Sequence, residues 1–286
     1  MQLALTAQLA FATCPSFFSS SERSLNNGLG NRVGRLNPLR LCCSVSNGWG
    51  SGIDSESYEF SRKRKVVEHI CLLKAKDDLS DEQEKDMLDY LYTSQYQMRG
   101  IIATTLGRIE NQNPDGYTHA VFMRFQMKED VARFYQNSSY LGVLKNHVMP
   151  YCHVLTNVDY ESEVEDDILP IFRKGEDFNY GVEYMILIAI AENAPREQID
   201  DALGDLEKLK VELPSLIVQS TQGSNLNISD SEYTHAAVVR FRSAEAFNMF
   251  LGDSKYRDIW ASKFQTITHK ALAVHFSVDP VGTEIM

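Results

Sequence analysis

Apolar positions along the chain fall into two rhythms that alternate and then recur. Residues 66–74 are a short dense run containing Val66, Val67, Ile70, Cys71, Leu72 and Leu73, which reads as a strand. A second run at 182–191 is almost continuously apolar from Tyr184 to Ala191, the pattern of a strand covered on both faces. After each run the period lengthens. Ser80-Asp81-Glu82-Gln83 has the form of a capping box and opens a predicted helix with Met87, Leu88 and Leu91 on one stripe. The corresponding later helix places Pro195 in its first turn and carries Ile199, Ala202, Leu203, Leu206 and Leu209 at helical spacing. Strands near 101–109 and 215–222 come next. In the first half, a turn rich in Asn111, Asn113, Pro114, Asp115 and Gly116 then leads into a third strand. Two short helical pieces follow in each half (128–136 and 140–148; 243–251 and 255–264), and a last strand closes each at 152–160 or 270–278.

The two halves are copies of one unit. Val67-Glu68-His69-Ile70 returns as Val182-Glu183-Tyr184-Met185, and Tyr117-Thr118-His119-Ala120 returns unchanged as Tyr233-Thr234-His235-Ala236. Arg124-Phe125 matches Arg240-Phe241, Phe134 matches Phe250, Tyr140 matches Tyr256, and Val158-Asp159-Tyr160 matches Val274-His275-Phe276. Spaced landmarks in constant register mark an internal repeat. The order β-α-β-β-α-β is the split unit of ferredoxin-like folds, so the chain is predicted to be α+β with two tandem modules, 66–160 and 182–279. Each unit covers one sheet face with helices and leaves the other bare. In the first copy that bare face carries Ile70, Leu72, Ala120 and Phe122, apolar area worth roughly 25 cal/mol per Å² when buried. Packing the two sheets face to face hides both sets, which predicts an intrachain pseudo-dimeric α/β barrel. Residues 161–181, opening on Glu161-Ser162-Glu163-Val164-Glu165-Asp166-Asp167, read as a solvated acidic linker long enough to permit this.

Charge separates a further segment. Residues 1–52 hold eight serines, four arginines and one acid, Glu22, ahead of a strongly acidic remainder. This composition predicts an organelle transit peptide, chloroplast in preference to mitochondrion, with cleavage near Leu41–Ser44 and a flexible lead-in over 44–61. A disordered tail without targeting function is the plainer alternative. The formal net charge of −11 over 286 residues argues against nucleic acid or an anionic membrane as partner. No run approaches the roughly 18 apolar residues of a spanning helix. Cys71 and Cys152 would remain as thiols of a mature chain, expected to be buried and unpaired.

The opening Val67-Glu68-His69-Ile70, Gly116-Tyr117-Thr118-His119 before the third strand and the closing Val158-Asp159-Tyr160 resemble the stress-responsive α/β-barrel (Dabb) family. The resemblance covers essentially all of 66–160 and 182–278, and implies a dimeric ferredoxin-like barrel formed here within one chain. It looks like plant members with tandem modules behind a plastid transit peptide. The family includes a polyketide cyclase with a histidine as general acid/base beside a tyrosine. Carried over by motif, those places are Tyr140 and Phe134 in the first module, Tyr256 and Phe250 in the second. A phenol is a poor proton shuttle at neutral pH and a phenyl ring transfers no proton. The cyclase's two pocket histidines do match, at His69 and His119, whereas the second module keeps His235 and has Tyr184 at the other place. The resemblance also implies a magnesium ion on backbone carbonyls of Gln95, Met98 and Ile101, with Lys210, Leu213 and Leu216 as counterparts.

These residues carry two readings. His69 and His119 share a strand face with Cys71, Leu73 and Val121, and with Met87, Leu91, Phe134 and Tyr140 they would line a pocket for a small apolar ligand. Tyr184, His235, Phe250 and Tyr256 would line its counterpart. Alternatively, both histidines are hydrogen-bonded core residues. Arg124 and Arg240 on the opposite face would either reach the barrel's end to meet carboxylates or grip an anionic ligand inside it. No transition-metal spacing, phosphate loop or nucleophile elbow is present in the sequence. The expectation is a plastid stress-response barrel that is non-catalytic, needs no cofactor and binds a small apolar ligand. The alternative is a cofactor-independent cyclase- or monooxygenase-like enzyme using the histidines of the first module. Whether two such chains pair further is left open by the sequence.

Overall fold

Two four-stranded antiparallel sheets face each other in the structure, a computed structural model described over residues 63–165, 181–228 and 231–278. In the first module the elements are β1 (Lys63–Ala75), α1 (Asp81–Gln97), β2 (Ile101–Arg108), β3 (His119–Phe125), α2 (Lys128–Gln136), α3 (Ser138–Val143) and β4 (Cys152–Glu165). The second repeats them as β5 (Val182–Ile190), α4 (Arg196–Glu212), β6 (Ile217–Ser224), β7 (His235–Phe241), α5 (Ala244–Gly252), α6 (Ser254–Ile259) and β8 (Thr268–Ser277). Strand orders are β2-β3-β1-β4 and β6-β7-β5-β8, two ferredoxin-like units. Both α3 and α6 continue into a π-helical turn, at Leu144–Val148 and Trp260–Phe264. The transit-peptide segment 1–52 and residues 166–180 of the predicted linker lie outside the described residues.

Local signals act as read. Ser80 caps α1, its hydroxyl accepting from the Gln83 N–H while the Gln83 side chain accepts from the Ser80 N–H. Pro195 is the N-cap of α4 rather than part of its first turn, holding an extended backbone from which two carbonyl bonds start the helix. The acidic stretch differs from expectation more substantially. β4 runs on through Glu165, pairing Lys63 with Glu165 and Lys65 with Glu163. A run of like charge that disfavours packing alone is accommodated here by a basic run on the facing strand, and Val164 within it is buried.

The bare sheet faces bury each other. Ile70, Leu72, Ala120, Phe122 and Val158 pack with Met185, Leu187, Val238, Leu272 and Val274 in one core shared by the two modules. Two further cores lie between each sheet and its own helices. Backbone hydrogen bonds close the barrel at both seams with pseudo-two-fold symmetry: Glu110 N–H donates to His275 O, and Leu226 N–H donates to Asp159 O. The seams are tight. A Cβ on Gly223 would sit 2.6 Å from the Glu161 carbonyl and 3.0 Å from the Tyr160 ring, and one on Gly107 would sit 2.6 Å from the Phe276 ring. Gly223→Ala is therefore expected to cost about 1–3 kcal/mol by overpacking, because the nearest obstacle is backbone. Urea unfolding checks this, and an unchanged midpoint would show that the seam is loose.

Arg124 and Arg240 do meet carboxylates, but inside the barrel rather than at its end. Glu68 lies directly across the strand pair from Arg124, and Glu183 from Arg240, so each arginine finds its partner locally. All four side chains are fully buried. Among the described residues, no helix is long and apolar enough to cross a membrane.

Candidate functional site

Strand alternation turns His69 toward the helices of the first module, where Asp159 on the neighbouring strand occupies the paired position. His69 Nδ1 lies 2.8 Å from Asp159 Oδ1, and the Tyr135 hydroxyl donates to Asp159 Oδ2 at 2.7 Å. Asn227, from the second module, adds a bond to Asp159 Oδ2 at 3.2 Å. In a neutral ring, a carboxylate that accepts from Nδ1 leaves Nε2 as the acceptor, the arrangement of an oriented base. His69 is fully buried, and its Nε2 is without a hydrogen-bond partner among the described residues. Phe125, Phe134 and Tyr135 rings stand edge-on around it, the nearest centroid 5.3 Å away.

The other residues expected to line a pocket are brought together as a packed layer. Cys71, Leu73, Met87, Leu91, Val121, Phe134 and Tyr140 belong to one buried cluster, with the Phe134 and Tyr140 rings 3.9 Å apart. Burial, then the nearby Cys71 and Asp159, hold the Tyr140 phenol well above its ordinary value. Burial likewise raises the Cys71 thiol and pushes Cys152 up to about 11, so neither is a nucleophile at neutral pH. In the second module Tyr184, Phe250 and Tyr256 are equally packed, and the Tyr184 and Tyr256 hydroxyls share a hydrogen bond of 2.8 Å. His275 stands where the first module has Asp159 and faces Tyr184, while its Nε2 lies 3.7 Å from Glu110 of the first module.

His119 lies four positions further along the sheet, since Leu73 rather than His69 faces it, which puts the two histidines roughly 13 Å apart at 3.3 Å per residue. One site does not contain both. His119 Nε2 is 2.6 Å from Glu84 Oε1, and its Nδ1 is 2.8 Å from the Thr118 hydroxyl, so both ring nitrogens are engaged. Arg108 pairs with the same Glu84, its Nε donating to Oε1 at 2.9 Å. These groups sit at a cleft of about 540 Å³, open to solvent. Ala75, Leu79, Ile109 and Tyr117 give it apolar walls, and Lys76, Glu84, Arg108 and Asn113 give it a polar rim. His235, the counterpart of His119, is 2.9 Å from the Thr234 hydroxyl and 3.2 Å from that of Ser224.

Burial lowers His119, outweighing the raising effect of Glu84, and also lowers His235 and His275. Arg108, then His119, holds Glu84 below the usual carboxylate range. A histidine with a depressed folded pKa favours the folded state while neutral. Its contribution is full above the unfolded value near 6.5 and falls as pH drops through that value toward the folded one. Stability is thus expected to be flat above about pH 7 and to decline below about pH 6.5, less steeply in His119→Gln. Urea midpoints across this range check it, and a midpoint that rises on acidification would contradict it.

The carbonyls implied as ligands of a hard cation behave differently in the two modules. In the second, Leu213 O already accepts from the Leu216 and Ile217 N–H groups, each at 3.0 Å, and does not fit that role. In the first, Met98 caps α1 and Gln95 lies in its last turn, while Ile101 opens β2 opposite Phe125. Glu84 and Tyr135 carry no site role in the sequence reading, and Asp159 stands there only within the closing Val158-Asp159-Tyr160 motif. The discoverable signal was Asp159, a lone acid between Val158 and Tyr160 in a buried closing strand.

Two βαββαβ units that turn their sheets into a common core define the class of dimeric ferredoxin-like α/β barrels, with both halves supplied by one chain. Solved structures share this fold: a candidate monooxygenase from Fusobacterium nucleatum has a TM-score of 0.54 at 8% identity, covering 75% of this chain and 92% of that one. An anthrone oxidase-like protein has a TM-score of 0.52 at 10% identity, covering 76% and 92%. The chain belongs to the stress responsive A/B barrel domain (Dabb) family, which matches residues 67–162 and 182–278. It is 23% identical over 217 residues to a stress-response A/B barrel domain-containing protein of Arabidopsis thaliana, covering 74% of this chain and 79% of that protein.

Proposed function

We propose that this protein is a non-catalytic stress-response barrel of the plastid stroma that binds a small, largely apolar ligand in the cleft beside His119. The observation that carries the reading is the state of the proton-transfer positions. Phe134 and Tyr140 are packed against each other in a core, and both nitrogens of His119 are engaged by Glu84 and Thr118. His119 can then move a proton only by giving up one of these hydrogen bonds. The cleft's apolar walls, polar rim and volume suit a small ligand with one polar end. The acid-poor segment 1–52 supports plastid import.

A second reading, a cofactor-independent cyclase- or monooxygenase-like enzyme, is favoured by the oriented His69–Asp159 pair and the unpartnered Nε2. Incubating the purified protein with polyketide-type and anthrone-type substrates separates the two. No turnover above buffer is expected, and turnover that His69→Ala or His119→Ala abolishes would overturn the proposal. Native mass spectrometry of protein from its own tissue is expected to retain a small-molecule adduct. A fluorescent fusion to residues 1–52 is expected to enter plastids.

A further inference from the structure

The interface between the modules follows a pseudo-two-fold in its backbone, yet three of its polar contacts occur on one side only. At the centre, Gln219 Oε1 accepts from Arg124 Nη2 of the other sheet at 2.7 Å and from Arg240 Nη1 of its own sheet at 3.2 Å. Ala103 holds the matching place in the first module, since Ala103 faces Arg124 as Gln219 faces Arg240. The Phe122 ring lies 4.3 Å from the Arg240 guanidinium and 5.8 Å from that of Arg124, and its counterpart is the smaller Val238. Toward one end, Asp115 accepts from the Tyr233 hydroxyl at 2.8 Å and from Lys270 Nζ at 3.0 Å. The matching places hold Ser231 and Val154, which form no such pair. At one seam the Tyr160 hydroxyl meets Thr221 at 3.0 Å, whereas Phe276 at the other seam has no hydroxyl to offer.

We propose that these unrepeated contacts make each sheet face selective for the other module, so that the barrel closes between unlike modules and excludes barrels built from like modules of two chains. Discrimination between partners rests on the difference between matched and mismatched contacts. Two first modules face to face would set Phe122 against Phe122 across the central layer and offer Arg124 an alanine in place of Gln219. Two second modules would set Lys270 opposite Ser231, leaving it Glu232 of its own module in place of the cross-sheet Asp115, and would take the Phe122 ring from Arg240. The unlike pair brings Gln219 to Arg124, Asp115 to Lys270 and the Phe122 ring to Arg240. Gln219 and Lys270 are the residues that carry the distinction on the side of the second module.

The test gives the second module the residues of the first at both places, in the full chain, as Gln219→Ala with Lys270→Val. An equimolar mixture of isotope-labelled and unlabelled chains is unfolded, refolded, cross-linked and digested, and its mass is followed by light scattering. Wild type is expected to remain monomeric across a wide concentration range, with cross-seam links inside single chains. The double variant is expected to raise, several-fold, the share of dimers with links between the same module of a heavy and a light chain. A Leu206→Val variant, which weakens the helix-side core away from the interface, is expected to leave that share at the wild-type level. Like-module links in wild type, a double variant with the wild-type pattern, or an equal rise in Leu206→Val would each overturn the proposal. Should the double variant not refold, each single substitution is scored by the same links.

Discussion

Arg124→Ala is expected to destabilise the protein by about 3–5 kcal/mol, because it leaves a buried carboxylate without its counter-charge. Glu68 is fully buried and receives Arg124 through a forked contact, Nε to its two oxygens at 3.2 and 3.1 Å and Nη2 to Oε1 at 2.6 Å. Removing the guanidinium also takes a donor from Gln219. The effect comes from the orphaned charge and not from any large net gain of the pair, since desolvation offsets most of the Coulombic attraction. Replacing both members, as Glu68→Met with Arg124→Met, is therefore expected to cost far less than Arg124→Ala. Urea unfolding of the single and double variants gives the comparison. A double variant as unstable as the single would mean that packing, not charge, sets the penalty.

Phe122→Ala is expected to cost about 3–5 kcal/mol, the range for deleting a fully buried ring whose site cannot collapse. The ring belongs to the core shared by both modules and lies against both buried guanidiniums, so its loss opens a void beside two charges. Phe122→Leu keeps much of the volume and loses the ring face, so it should fall between wild type and alanine. The alanine variant should also bind a hydrophobic dye more strongly, since weakening this core loosens the contact between the modules. Thermal and urea unfolding, read with dye fluorescence, check both parts. Unchanged stability would place the main cohesion of the barrel elsewhere, in the helix-side cores.

The sequence made the fold legible because constant register between distant landmarks is a property of the chain alone. Val67 with Val182 and His119 with His235 locate equivalent strands before any contact is known. The bare sheet face could be read for the same reason: Ile70, Leu72, Ala120 and Phe122 alternate with residues that face the helices. The acidic run after Tyr160 could not be read correctly by itself, because its strand character depends on Lys63 and Lys65 on the strand beside it. The site was less legible still. His69 and His119 share a face, but separation along a strand is a matter of register, and register placed them four positions apart. Their partners come from elsewhere in the chain, Glu84 from α1, Tyr135 from α2 and Asp159 from β4. Gln219 looks like any polar residue of an edge strand until the opposite sheet supplies Arg124.

A symmetric dimer must accept every substitution twice, once on each side of its axis. Joining the halves in one chain lifts that constraint. Asp159 can pair with His69 in one half while His275 packs on Phe247 in the other, an arrangement no single repeated gene product could hold. The covalent tether thus lets one half drift or specialise while its twin preserves the shared scaffold.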